Sequence, residues 1–178
     1  MLRMFMQRIS DMRTIKSLCL GAEKHANADG QQAPGLEHFV LAALDLPDGT
    51  ARKAFERIGA NPDAFRQAIA DQYEKALKGI GIDAPQPPSM QHGADGISPG
   101  KGLYQSRPQV QAFMQQLANR KKTDAGVPLL GAHVIEVIAA FEHGVASRTL
   151  ALLGIDRQRL IEAAQMEAGE MRGDALAG

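Results

Sequence analysis

The sequence predicts an all-α fold: two tandem four-helix repeats, related by a pseudo-twofold axis and forming one compact domain. Three observations predict it. Aromatic residues are only 4% of the 178 and tryptophan is absent, so the core must be built mainly from Ala, Leu, Ile, Val and Met. Such a core suits close-packed helices better than a sandwich or barrel. Apolar residues recur at helical spacing in eight segments. Finally, a shift of 95 residues lays the landmarks of the first half on those of the second.

The first helix is expected over residues 11–28, with Ile15, Leu18, Cys19, Ala22 and Ala26 on one stripe. The second covers 36–46 and carries Phe39, Val40, Ala43 and Leu44; Pro47 ends it because proline cannot continue the hydrogen-bond ladder. Asp48 then caps a short third helix holding Ala51, Ala54, Phe55 and Ile58, which Gly59 closes. Asn61 followed by Pro62 starts the fourth helix, with Phe65, Ile69, Tyr73 and Leu77 inward. From 79 to 103, glycine and proline interrupt every helical run, so this stretch is expected to be a linker.

Helical spacing then returns. Ser106 to Gln109 fits a capping box for a fifth helix carrying Val110, Phe113, Met114 and Leu117. The sixth is expected over 131–142, with Val134, Ile135, Ile138 and Phe141 inward. A short seventh runs through Leu150 and Leu153 to Gly154, and Asp156 caps an eighth that buries Leu160, Ile161 and Ala164. The final phrase, MEAGEMRGDALAG, loses apolar periodicity. The expected organisation is one domain over 1–168, with repeat one at 11–78, the linker at 79–103, repeat two at 104–168 and a tail at 169–178.

The shift of 95 residues sets His38 on His133, Val40 on Ile135, Ala51 on Ala146, Gly59 on Gly154, Asn61 on Asp156 and Phe65 on Leu160. Both units end in apolar–Gly–apolar–cap, as IGANP and LGIDR. A unit of this size buries little alone, so the two copies are expected to pack together.

Charge and composition exclude several function classes. Lys plus Arg equals Asp plus Glu at 20 each, which argues against a broad attraction to nucleic acid or to an anionic membrane. The one dense basic run, Arg120-Lys121-Lys122, lies near a helix end, where positive charge is favourable. It is a candidate contact for an acidic partner, but without stacking aromatics it is no nucleic-acid site. Cys19 is the single cysteine, so no intrachain disulfide or cysteine-rich metal site is expected. A reducing, cytoplasmic location fits, and Cys19 itself is expected in the core. His25, His38, His92, His133 and His143 show no metal-ligand spacing, and Ser106 and Ser147 stand in no nucleophile motif. The start, MLRMFMQRIS, is a poor signal peptide, and no stretch of 18 apolar residues exists to span a membrane. Leu2, Met4, Phe5, Met6 and Ile9 make an adaptable apolar surface suited to packing on the domain, to self-association or to fraying. No catalytic residue, cofactor or metal is expected.

The phrases GLEHFVLAAL (35–44) and AFERIGANPDAFRQAI (54–69), with their counterparts LGAHVIEVIAAF (130–141) and TLALLGIDRQRLIEAA (149–164), resemble the Clp N-terminal domain, also called the Clp repeat domain. The resemblance implies a non-catalytic domain that sits at the front of ring-shaped ATP-dependent unfoldases and binds substrates, adaptors or marked peptides. The sequence holds no G-x-x-x-x-G-K-[ST] phosphate loop, so the accessory domain is expected to stand alone, without the ATPase modules.

In some members of that family two equivalent glutamates receive the guanidinium side of phosphoarginine. This sequence has Glu37 at the first position and Ala132 at the second, so the resemblance implies at most one such half-site. Glu37 is equally placed to accept N–H groups at a helix start. The expected binding surface is the groove between repeats and the openings of the second helices, with Glu37, His38, Ala132, His133, Arg120 and Lys121 as candidate residues. His38 and His133 suit interhelix structure as well as they suit a ligand. The expected partners are protein or peptide segments, a Clp-type unfoldase or its substrates among them. The alternative is a small helical regulator acting through dimerisation or partner control.

Overall fold

The computed structural model describes residues 2–79, 108–124 and 126–177. It contains eight helices among them: α1 (Leu2–Ala28), α2 (Leu36–Leu44), α3 (Thr50–Arg57), α4 (Ala64–Gly79), α5 (Pro108–Thr123), α6 (Gly131–Ala139), α7 (Val145–Leu152) and α8 (Arg157–Ala177). The expected linker lies, from residue 80 on, outside the described residues, as does Ser106 of the expected capping box.

Helices α2 and α6 form the centre. They pack on each other, and every residue of both is buried. Both are predominantly apolar, as expected of segments surrounded on all sides. α1 covers α2 and α5 covers α6. α8 packs along α6 within the second half, and most contacts between the halves fall in matched pairs. α3 lies on α8 as α7 lies on α4, and α3 touches α6 as α7 touches α2. The few rings go where they fill most space. Phe39 of α2 meets Phe113 of α5 at 5.1 Å between centroids, and Phe55 meets Phe65 edge-on at 6.1 Å. All four are at most 1% exposed.

Local chemistry sets the helix ends. The Asp48 carboxylate accepts the Thr50 N–H at 2.9 Å and so caps α3, with Gly49 between them. Gly59 and Gly154 take φ of 74° and 66°, a left-handed conformation that glycine adopts without steric cost. Each closes its helix in the same way. The Ala60 N–H reaches back to the Phe55 carbonyl at 3.0 Å, and the Ile155 N–H reaches the Leu150 carbonyl at 2.9 Å. Asn61 and Asp156 follow as caps, accepting the N–H of Asp63 and of Arg159, each at 3.0 Å.

Two helices extend beyond their expected bounds. α1 begins at Leu2 rather than near residue 11, and α8 continues to Ala177 through the segment expected to be a tail. Each extension carries a long-range polar contact that local periodicity does not mark. Gln7 Nε2 donates to the Val127 carbonyl at 2.7 Å, and Arg172 pairs with Asp124 at 2.8 Å. Among the described residues no helix is long and apolar enough to cross a membrane.

Candidate functional site

The two repeat histidines complete the starts of α2 and α6. His38 Nδ1 accepts the Gly35 N–H at 2.9 Å, and His133 Nδ1 accepts the Leu130 N–H at 3.1 Å. With Nδ1 acting as acceptor, the proton of the neutral ring sits on Nε2. His38 Nε2 therefore donates to Asp29 at 3.2 Å and His133 Nε2 to Asp124 at 3.4 Å, each aspartate nine residues upstream. Backbone N–H, histidine and aspartate thus form the same chain of contacts twice, displaced by 95 residues. Both imidazoles are fully buried. Burial pushes His133 below its ordinary value and Arg120 acts in the same direction; Asp124 and Glu136 oppose them only in part.

The next position breaks the match. Glu37 is 2% exposed. Its carboxylate folds back over Gly35, where a Cβ would lie 2.5 Å from both oxygens, and Tyr73 Oη donates to Oε1 at 2.8 Å. In the second half Ala132 supplies no carboxylate, and the start of α6 is completed from the other half. Asp48 accepts the Gly131 N–H at 3.2 Å, and Thr50 Oγ1 accepts the Ala132 N–H at 2.9 Å. An internal carboxylate thus holds the N-terminal amides of α6, where an anion is favoured.

The basic run is also engaged. Arg120 Nε lies 2.9 and 2.8 Å from the two Glu136 oxygens, and its Nη1 lies 2.9 Å from Asp124. Asp124 collects Arg120, Arg172 and His133. Burial alone would raise its carboxyl, but Arg120, the His133 hydrogen bond and Arg172 together bring it below the ordinary carboxylate value. Lys121 pairs with Asp11 of α1 at 3.2 Å and also donates to the Val127 carbonyl.

Thus the structure places Glu37, His38, Ala132 and His133 inside the fold rather than at an opening, and it turns Arg120 and Lys121 into intramolecular ion pairs. His25 is committed as well: Nδ1 accepts from Arg66 at 2.6 Å and Nε2 donates to Asp45 at 2.7 Å. Cys19 is partly buried on α1; burial, with Glu23 adding, pushes its thiol up and away from the reactive thiolate. Among the described residues no group of three or more His, Cys, Asp or Glu is arranged to hold a metal. No buried side-chain nitrogen or oxygen lacks a partner there either.

A cleft opens where the two closing turns meet. Ile58, Gly59 and Ala60 face Leu153, Gly154 and Ile155 across it, with Asp156 and Arg159 at one end. These are the repeat-equivalent apolar–Gly–apolar phrases, brought together by the packing of α3 on α8 and α4 on α7. The cleft lies between the halves, as the expected groove does, and none of its lining residues belongs to the start of α2 or α6.

Sequence reasoning missed Asp29, Asp124 and Thr50. A signal for the first two was present, since they share the 95-residue offset and stand nine residues before each histidine. Asp48 and Tyr73 were marked only locally, as a helix cap and an inward residue; their contacts with Gly131 and Glu37, like that of Thr50 with Ala132, act across long stretches of chain.

Such an arrangement defines an all-helical domain whose buried polar groups hold two halves together. Comparison with family models finds a match: residues 14–93 are similar to the Clp repeat (R) N-terminal domain. The match runs from within α1 through α4 and past it. No curated protein matches the chain.

Proposed function

We propose that this chain is a non-catalytic protein- or peptide-binding module of the Clp N-terminal kind, acting in substrate or adaptor recognition for ATP-dependent proteolysis in the cytoplasm. The observation that carries this is the family match over residues 14–93. The second half is then a diverged copy related to the first by a pseudo-twofold axis. The recurring N–H–His–Asp chain and the paired closing turns support that relation.

Recognition is placed at the cleft between the closing turns, not at Glu37. Ile58, Leu153 and Ile155 offer apolar contact, and Arg159 offers a charged anchor that makes no side-chain ion pair among the described residues. Leu152, 51% exposed, precedes the lining residue Leu153 in sequence. A small cleft that combines a few apolar side chains with polar groups, Asp156 and Arg159 among them, suits the reading of a peptide side chain.

The test is direct binding of the purified chain to a purified Clp-type unfoldase and to an array of unstructured peptides. The expected result is retention of one or both, weakened about tenfold by Leu153→Glu at the centre of the cleft. Failure to retain either would overturn the proposal.

A further inference from the structure

α1 carries more exposed chemistry than its packing requires. Of its described side chains, only Leu18, Ala22, His25 and Ala26 are buried. The part before Leu18 is nonetheless anchored firmly on one side. Gln7 donates to the Val127 carbonyl, the Leu129 N–H donates to Asp11 at 2.7 Å, and Lys121 pairs with the same aspartate. Gln7, Asp11, Thr14 and Leu18 follow helical spacing, so this row is the docked side.

The neighbouring face points outward. Met12 is 71% exposed and Ile15 38%, with Ile9 and Cys19 half-buried at its edges. Arg8, Met12 and Lys16 follow one another at intervals of four, and Arg13 flanks them. All three cations are exposed, and no ion pair or hydrogen bond engages their side chains among the described residues. Asp11 is the one carboxylate between residues 6 and 17, and it is turned inward to Lys121 and Leu129. A chain of zero net charge therefore presents a locally cationic helix face with an apolar centre, held in place by contacts on its opposite side.

We infer that this face of α1, centred on Met12 and flanked by Arg8 and Lys16, docks an acidic amphipathic helical segment of a partner protein. The charges call for carboxylates on both flanks, and the apolar centre calls for a ridge of aliphatic side chains between them. The apolar strip is one to two side chains wide. That width fits a helix ridge better than insertion into a lipid surface, which needs a broad apolar side. The rigid anchoring lowers the entropic cost of docking. The inference rests on the protein-binding function proposed above, and adds a second surface and the chemistry of what it takes.

The test titrates the whole chain with a fluorescein-labelled helical peptide carrying a Leu ridge flanked by Glu. The same peptide with Lys for Glu and phosphatidylserine–phosphatidylcholine vesicles are the comparison arms. The acidic peptide is expected to bind, with affinity falling as salt is added, and the Lys peptide and vesicles are not. Arg8→Glu with Lys16→Glu is expected to weaken binding by about tenfold or more, and Met12→Ser by a few-fold. All three side chains are exposed, so the circular dichroism spectrum should not change. Leu153→Glu in the cleft should leave this binding intact. Equal binding of the two peptides, indifference to the double reversal, or binding of vesicles in place of peptide would each overturn the inference. Peptide or unfoldase binding lost with Leu153→Glu but untouched by the α1 variants would leave the proposed function standing and remove this face from it.

Discussion

Asp48, in the loop after α2, accepts the backbone N–H of Gly131 at the start of α6, across 83 residues of sequence. Its neighbour Thr50 does the same for Ala132. The N-terminal amides of the second central helix are therefore held by side chains of the first half.

Removing that connection should loosen the halves together. Asp48→Ala strips acceptors from the Thr50 and Gly131 amides and should cost about 1–2 kcal/mol. Thr50→Val keeps the shape but loses the acceptor for Ala132 and should cost about 1–2 kcal/mol. Urea unfolding of both single variants and the double should show a double cost smaller than the sum, because the two side chains share one helix start. Strict additivity would contradict a joint cap.

The same helix start is tightly packed. A Cβ on Gly131 would lie 3.0 Å from the Ala51 Cβ and 3.1 Å from the Ala43 carbonyl, neither able to swing aside. Gly131→Ala should therefore destabilise by about 1–3 kcal/mol. Gly169, within α8, has open space where a Cβ would stand, and Gly169→Ala should stabilise by about 0.5–1 kcal/mol through helix propensity. Thermal melting should move in opposite directions for the two variants.

Acid should weaken the fold through His133 before it reaches the carboxylates. In the native state its imidazole is held below the ordinary value near 6.5, so below that pH the unfolded chain takes up a proton that the native chain resists. Stability is full above about pH 6.5 and falls as pH drops through the native value. Asp124, held below its ordinary 3.8, adds a second loss as pH falls below that value. Urea midpoints measured from about pH 8 to about pH 5 should decline for the native sequence. His133→Gln should start about 1–3 kcal/mol lower, with Leu130 N–H and Asp124 less well satisfied, and decline less steeply. Parallel slopes would exclude His133 as the source.

Cys19 should react slowly. Its raised thiol and partial burial predict modification by a disulfide reagent at neutral pH well below the rate of an unfolded control. Labelling in the presence and absence of urea measures the difference, and equal rates would contradict the burial.

Legibility in the sequence followed the range of the physics. Helix closures at Gly59 and Gly154 and the caps at Asn61, Asp48 and Asp156 depend on residues within a few positions, and local pattern located them. The bounds of α1 and α8 did not follow, because Gln7 and Arg172 anchor those helices by polar contacts without periodicity. His38 and His133 were legible as equivalent residues whose structural role competed with a ligand role. Their commitment to the helix starts depended on Asp29 and Asp124. The interior placement of Glu37 depends on Tyr73, 36 residues away. Arg120 and Lys121 look like a surface run until Glu136 and Asp11 are folded against them.

The anchoring of α1 also orders events during synthesis. The Leu129 amide that Asp11 accepts lies 118 residues downstream, so α1 emerges from the ribosome long before its docking loop exists. In that interval Asp11 lacks the Leu129 amide and the Lys121 ammonium that later hold it, and Met12 and Ile15 stand on a less fixed segment. A nascent chain stalled before α6 would expose them together with α2, whose burial also awaits α6 and α7. A chain cut between its halves should therefore be less stable than the whole, because α2 and α3 lose the burial that α6 and α8 supply.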